Sequence, residues 1–138
     1  MAGIRVSTSV KKIEVNDQGE FITLNFSDNS FPDRFFAMLD SIQKRAEDVQ
    51  AQECEIREKG GGDARAAAAL YRQFHEDIME EVDALFGPDT CRKVFGSIVP
   101  GIELFDDFFT QLIPFFEEYG RERAEKLSKY SAGRTANV

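Results

Sequence analysis

The sequence contains no tryptophan, one histidine, two cysteines and four prolines among its 138 residues. A lone histidine, His75, excludes a histidine-rich metal site and a His–His acid–base pair. Cys54 and Cys91 stand far apart, so the closely paired ligands of a structural zinc site are missing. No run approaches the ~18 apolar residues of a membrane span. The opening MAGIRVSTSVKK has no apolar stretch of signal-peptide length. The expected compartment is therefore a reducing cytoplasm, where thiols stay free. Basic charge is short as well. With 17 Lys and Arg against 25 Asp and Glu, the formal net charge is -8. A phosphate-binding face needs the opposite excess, so nucleic acid is not an expected partner, nor is a membrane.

Phenylalanine, by contrast, is abundant, with 13 residues in a chain that is 42% hydrophobic. That composition supports a packed core and argues against disorder. The length suits one domain of ~100–150 residues.

The first thirty residues read as strands. Ile13 and Val15, then Ile22, Leu24 and Phe26, alternate with polar residues around Asn16-Asp17-Gln18-Gly19, a tight-turn composition. Ile4, Val6 and Thr8 alternate too, so a third short strand is an open alternative to a simple hairpin. Ser30-Phe31-Pro32-Asp33 looks like a helix start, with Ser30 as the expected cap. Phe35, Ile42, Val49 and Ile56 recur every seven residues along the helix that follows, the spacing of a helix-pairing seam. Gly60-Gly61-Gly62 ends it and reads as a connector; a phosphate cradle would need a following Lys-Ser/Thr. Asp63 is the expected cap of the next helix, whose stripe is Ala67, Leu70, Tyr71, Phe74, Ile78, Val82 and Leu85. Gly87-Pro88 breaks the chain, and a short helix runs to Gly96.

The segment IELFDDFFTQLIPFFEEY is the most informative. At ~100° per residue its ten large apolar residues span about half the circumference, and Pro114 falls among the acids on the other half. A proline on the solvent side is best tolerated, so one bent helix is expected. From Arg121 onward the charge changes sign. The whole reads as α+β, mostly α. A hairpin region over 1–28, a long helix over 31–59 and a helical part over 63–130 form one domain of about four helices. Residues 131–138 are expected to be a disordered tail.

Chemistry-bearing residues are sparse. His75 neighbours Glu76 and Asp77, but no GxSxG or other placed nucleophile accompanies it, so it reads as a boundary residue. The acids of the same helix read as a solvated face. No catalytic residue, metal ligand or cofactor site is expected. The Phe stripe admits two readings, core or partner surface. Burying half of a helix's circumference requires packing on two sides, from within the domain or from a second subunit. The interface candidates are Ile42, Val49 and Ile56 on the long helix, Phe105, Phe108, Phe109, Phe115 and Phe116 on the stripe, and Arg121 and Arg123 beyond it. Some of the phenylalanines must be core. The acidic Glu103–Glu118 face and the basic Arg121–Lys129 stretch are expected to meet between subunits and to favour head-to-tail growth.

The hairpin IEVNDQGEFITLNFSD, then VDALFGPDTCRKVFG, then PGIELFDDFFTQLIPFFEEYGRERAEKLSKY, together with the element order, resemble the small tail assembly chaperones of long-tailed phages and prophages of Gram-positive bacteria. The resemblance implies a non-enzymatic protein that binds the tape measure protein and keeps it soluble until tail tube subunits polymerise around it. It also implies self-association, with the tail tube protein as a further candidate partner. The hairpin departs from the wholly helical members. The alternative is another phage structural or adaptor protein that acts by protein–protein contact. An enzyme would need a concave site joining His75 or the acids to a ligand.

Overall fold

A computed structural model describes residues 2–59 and 64–136, with side-chain detail as far as residue 133. Among these, two strands are followed by four helices: β1 (Val10–Glu14), β2 (Phe21–Asn25), α1 (Ser30–Glu58), α2 (Ala64–Phe86), α3 (Thr90–Phe95) and α4 (Ile102–Ala136). The mostly helical α+β class read from the sequence is the one observed. The chain forms two compact units, Met1–Gly101 and Ile102–Val138.

β1 and β2 pair antiparallel, with Ile13 opposite Ile22 and Lys11 opposite Leu24. Asn16 builds the turn. Its Oδ1 accepts from the backbone N–H of Gln18 at 3.0 Å and of Glu20 at 3.2 Å. Gly19 sits at φ 79°, the left-handed region where a side chain would be strained. Ile22 and Leu24 point inward and are buried, while Phe21 faces out. Residues 2–9 form no strand; Ile4 and Val6 are exposed. Their alternation matches a strand, but a strand needs a ladder partner along its length, and residues 2–9 join neither edge of the two-stranded sheet.

α1 starts one residue earlier than a Ser30 cap would place it. Asp28 does the capping work instead, accepting from the Ser30 N–H at 2.9 Å and the Ser30 hydroxyl at 2.6 Å. Those two bonds, the hydroxyl's first, hold the Asp28 carboxyl below its ordinary range. The expected Gly60–Gly62 connector and Asp63 cap lie outside the described residues.

α1 and α2 run antiparallel. Arg45 pairs with Glu81 near their middle, the Tyr71 hydroxyl donates to Glu53 at one end, and Phe31 and Phe35 meet Phe86 at the other. The seven-residue seam of α1 is real: Phe35, Ile42 and Val49 are buried and Ile56 is half-buried. Of α2's expected stripe, Phe74, Ile78 and Val82 are buried and Leu85 is half-buried, while the neighbouring Phe86 is buried in its place. An edge-to-face aromatic cluster joins the end of the hairpin to both helices, with Phe26–Phe31 centroids at 5.8 Å, Phe31–Phe86 at 5.7 Å and Phe35–Phe86 at 6.1 Å.

α3 begins after Asp89, whose φ of 69° turns the chain sharply; aspartate is among the few residues that tolerate this. The Asp83 carboxylate accepts the Cys91 N–H at 2.9 Å, satisfying a first-turn donor of α3 from α2. α4, described by itself, is one continuous helix through the exposed Pro114. It runs to Ala136, so residues 131–136 are helical where a disordered tail was expected.

Candidate interaction surface

Polar groups of unit Met1–Gly101 are drawn into one clasp between the hairpin turn and α3. Arg92 donates to both carboxylate oxygens of Glu20, at 2.8 and 3.4 Å. Asn16 Nδ2 donates to Glu20 Oε1 and to the Lys93 carbonyl, each at 3.0 Å. Lys93 Nζ returns to the Phe21 carbonyl at 3.2 Å. The Arg92 bond first, then that of Asn16, holds the Glu20 carboxyl below the ordinary glutamate range. This clasp fixes the turn; every charge in it already has an opposite neighbour, so it is a structural device.

The titratable residues singled out from sequence lie on separate elements. Cys54 is exposed on α1 and Cys91 is buried in α3. Burial, and then Asp83, pushes the Cys91 thiol up to about 12. His75 is buried on α2, its Nδ1 at 2.6 Å from the Tyr71 carbonyl. Among the described residues, no group of three or more His, Cys, Asp or Glu could hold a metal ion, and no helix is long and apolar enough to cross a membrane.

What the surface does offer is apolar. On unit Met1–Gly101, Val10 and Phe21 lie exposed on the outer face of the hairpin. Phe36 on α1, Tyr71 on α2, and Ile98 and Val99 after α3 are also exposed. On α4, Ile102, Leu104, Leu127 and Tyr130 are.

The interface candidates divide cleanly. Ile42 and Val49 are buried in the helix pair, and Ile56 is half-buried at its far end. Phe105, Phe108, Phe109 and Phe116 are buried, so they belong to core, while Phe115 is half-buried. Arg121 and Arg123 are exposed. The wheel explains the division. Phe108, Leu112, Phe105, Phe116 and Phe109 occupy a central sector about 100° wide, which is what a helix ordinarily buries. Leu104 and Phe115 flank it on one side, Ile102 and Ile113 on the other, and all four keep exposed surface.

Leu127 and Tyr130, 67% and 61% exposed, were not among the candidates. They were legible all the same. Tyr119, Arg123, Leu127 and Tyr130 continue the central sector at ~100° per residue, a signal the charges of this stretch overlie. The Arg123 guanidinium sits over the Tyr119 ring, 5.7 Å from its centroid, so a cation and apolar groups share this side of the helix.

Residues 18–137 match the model of a family of unknown function, DUF6673. No curated protein and no solved structure matches the chain.

Proposed function

We propose a non-catalytic, protein-binding role for this chain, which belongs to the family DUF6673: a tail assembly chaperone that holds the tape measure protein of a phage or prophage in solution during tail tube assembly. The observation that carries the reading is the presence of large apolar side chains, Phe36, Tyr71, Leu104, Leu127 and Tyr130, exposed on helices of an acidic chain. Helical surfaces of this kind cover apolar stripes on an extended helical client, as in helix-in-groove recognition. The net charge of -8 keeps such a complex dispersed. The sequence resemblance over the hairpin and over Val82–Tyr130 supplies the identity of the client.

Co-expression with a tape measure protein from the same phage or prophage tests the reading. The client should stay soluble with this chain present and precipitate without it. Equal solubility in both cases, or recovery of this chain as a stoichiometric part of purified virions, would replace the chaperone with a structural component.

A further inference from the structure

We infer that residues 4–8 are a docking strand, which adds to an open, acidic sheet edge of another protein. Ser9 is the last residue tied to the hairpin. Its carbonyl accepts the Phe26 N–H at 2.9 Å, and its own N–H donates to the Ser27 hydroxyl oxygen. Beyond that point the β2 side turns away into α1, which begins at Ser30. Residues 2–8 therefore overhang the sheet. All of them are exposed, and among the described residues they make no hydrogen bond. The overhang still has the pattern of a strand with one apolar side. Ile4, Val6 and Thr8 alternate with Arg5, Ser7 and Ser9, and the alternation runs in step into Val10 on the outer face of β1. Ile4 is 92% and Val6 82% exposed. β-branched residues favour extended backbone, and no glycine or proline interrupts residues 4–12.

Two observations select the occupant. The first is the backbone. An extended segment offers a row of N–H and C=O groups, and only another extended chain returns a matching row, because a helix spends its own internally. In strand addition those main-chain bonds supply affinity, and the alternate side chains supply selectivity. The second is charge. Residues 2–12 carry Arg5, Lys11 and Lys12 and no acid, in a chain whose net charge is -8. Two copies of this segment side by side would set cation against cation, which disfavours a second copy as the occupant. An edge strand with Asp or Glu at every second position and apolar residues between them is the complement of both sides. The contact is short and exposed, so it is weak and falls with salt.

This inference goes beyond the chaperone reading, which uses helical surface, and its failure would leave that reading as it stands. Amide NMR of the isotope-labelled full chain tests it, with a capped heptapeptide of alternating valine and glutamate as the probe. At millimolar probe, amide signals within residues 4–8 should shift in a saturable way, on alternate residues, as a ladder requires. The same peptide N-methylated along its backbone keeps the side chains and loses the donors, so it should leave those signals in place. Arg5→Glu should weaken binding about fivefold, the upper worth of one exposed ion pair at ~1 kcal/mol. Ile4→Asp with Val6→Asp should abolish it. All three positions are exposed, and unchanged α1 and α2 signals confirm that each variant keeps its fold. No shift in residues 4–8, an equal response to the N-methylated peptide, or variants that bind like the wild type would overturn the inference. So would protection of these amides that grows with the concentration of the chain alone, since a second copy would then be the occupant.

Discussion

Neighbouring residues on α1 show how sharply the environment changes within one turn. Phe35 is 0% exposed and Phe36 is 44% exposed, although their rings touch at 5.2 Å. Truncating Phe35 leaves a cavity beside Phe86 as well as losing transfer free energy. Phe35→Ala should cost ~3–5 kcal/mol in denaturant unfolding. Phe36→Ala should cost about 1 kcal/mol or less. The two cysteines differ in the same way. The Cys91 thiol is buried and pushed up to about 12, so it supplies almost no thiolate at neutral pH. Native protein should lose Cys54 to an alkylating reagent while Cys91 survives, with both reacting after denaturation; mass spectrometry of the labelled peptides reads this directly.

Among elements, the hairpin was legible because its turn chemistry and its alternation agree. Asn16 and Gly19 supply the turn, and Ile22 and Leu24 the buried face. The same alternation at Ile4, Val6 and Thr8 gave a strand that does not form, because alternation is local and a ladder is not. The α4 stripe was legible in outline, yet ten apolar residues on the wheel did not say which would be buried. Angular position decides it: the central sector is buried, and the margins remain at the surface. The Asn16–Glu20–Arg92–Lys93 clasp was not legible at all. Its two halves, Asn16–Glu20 and Arg92–Lys93, are more than seventy positions apart, and polar contacts across that distance leave no periodic trace.

The clasp makes a prediction about pH. The folded-state pKa of Glu20 is depressed, chiefly by the Arg92 bond. A depressed carboxylate contributes stability above its unfolded-state range and loses it as pH falls through the folded value. The clasp should therefore hold at neutral pH and open in acid. Arg92→Ala should remove that acid-dependent contribution and speed amide exchange in β2 at neutral pH. Unchanged exchange protection at Phe21 and Ile22 would show that the strands stand without it.

At the scale of the whole molecule, acidity and exposed apolar groups coexist on one chain. Net charge of -8 opposes non-specific clumping, while apolar side chains spread along the helices favour contact with another polypeptide. Burial accounts for Ile42, Val49 and four of the five candidate phenylalanines. Exposed apolar surface is left at the margins of the stripe, on unit Met1–Gly101 and on the C-terminal half of α4. The proposed client rests on resemblance alone, since no arrangement of side chains in one protein spells out the sequence of a partner.

The central claim is that this chain works by covering apolar surface on another polypeptide. Light scattering measures that most directly, with denatured tape measure protein diluted into buffer beside increasing amounts of this chain. The account predicts that scattering falls in proportion to added chain and is abolished near a fixed stoichiometric ratio. Scattering that rises to the same level whatever the amount added would contradict it.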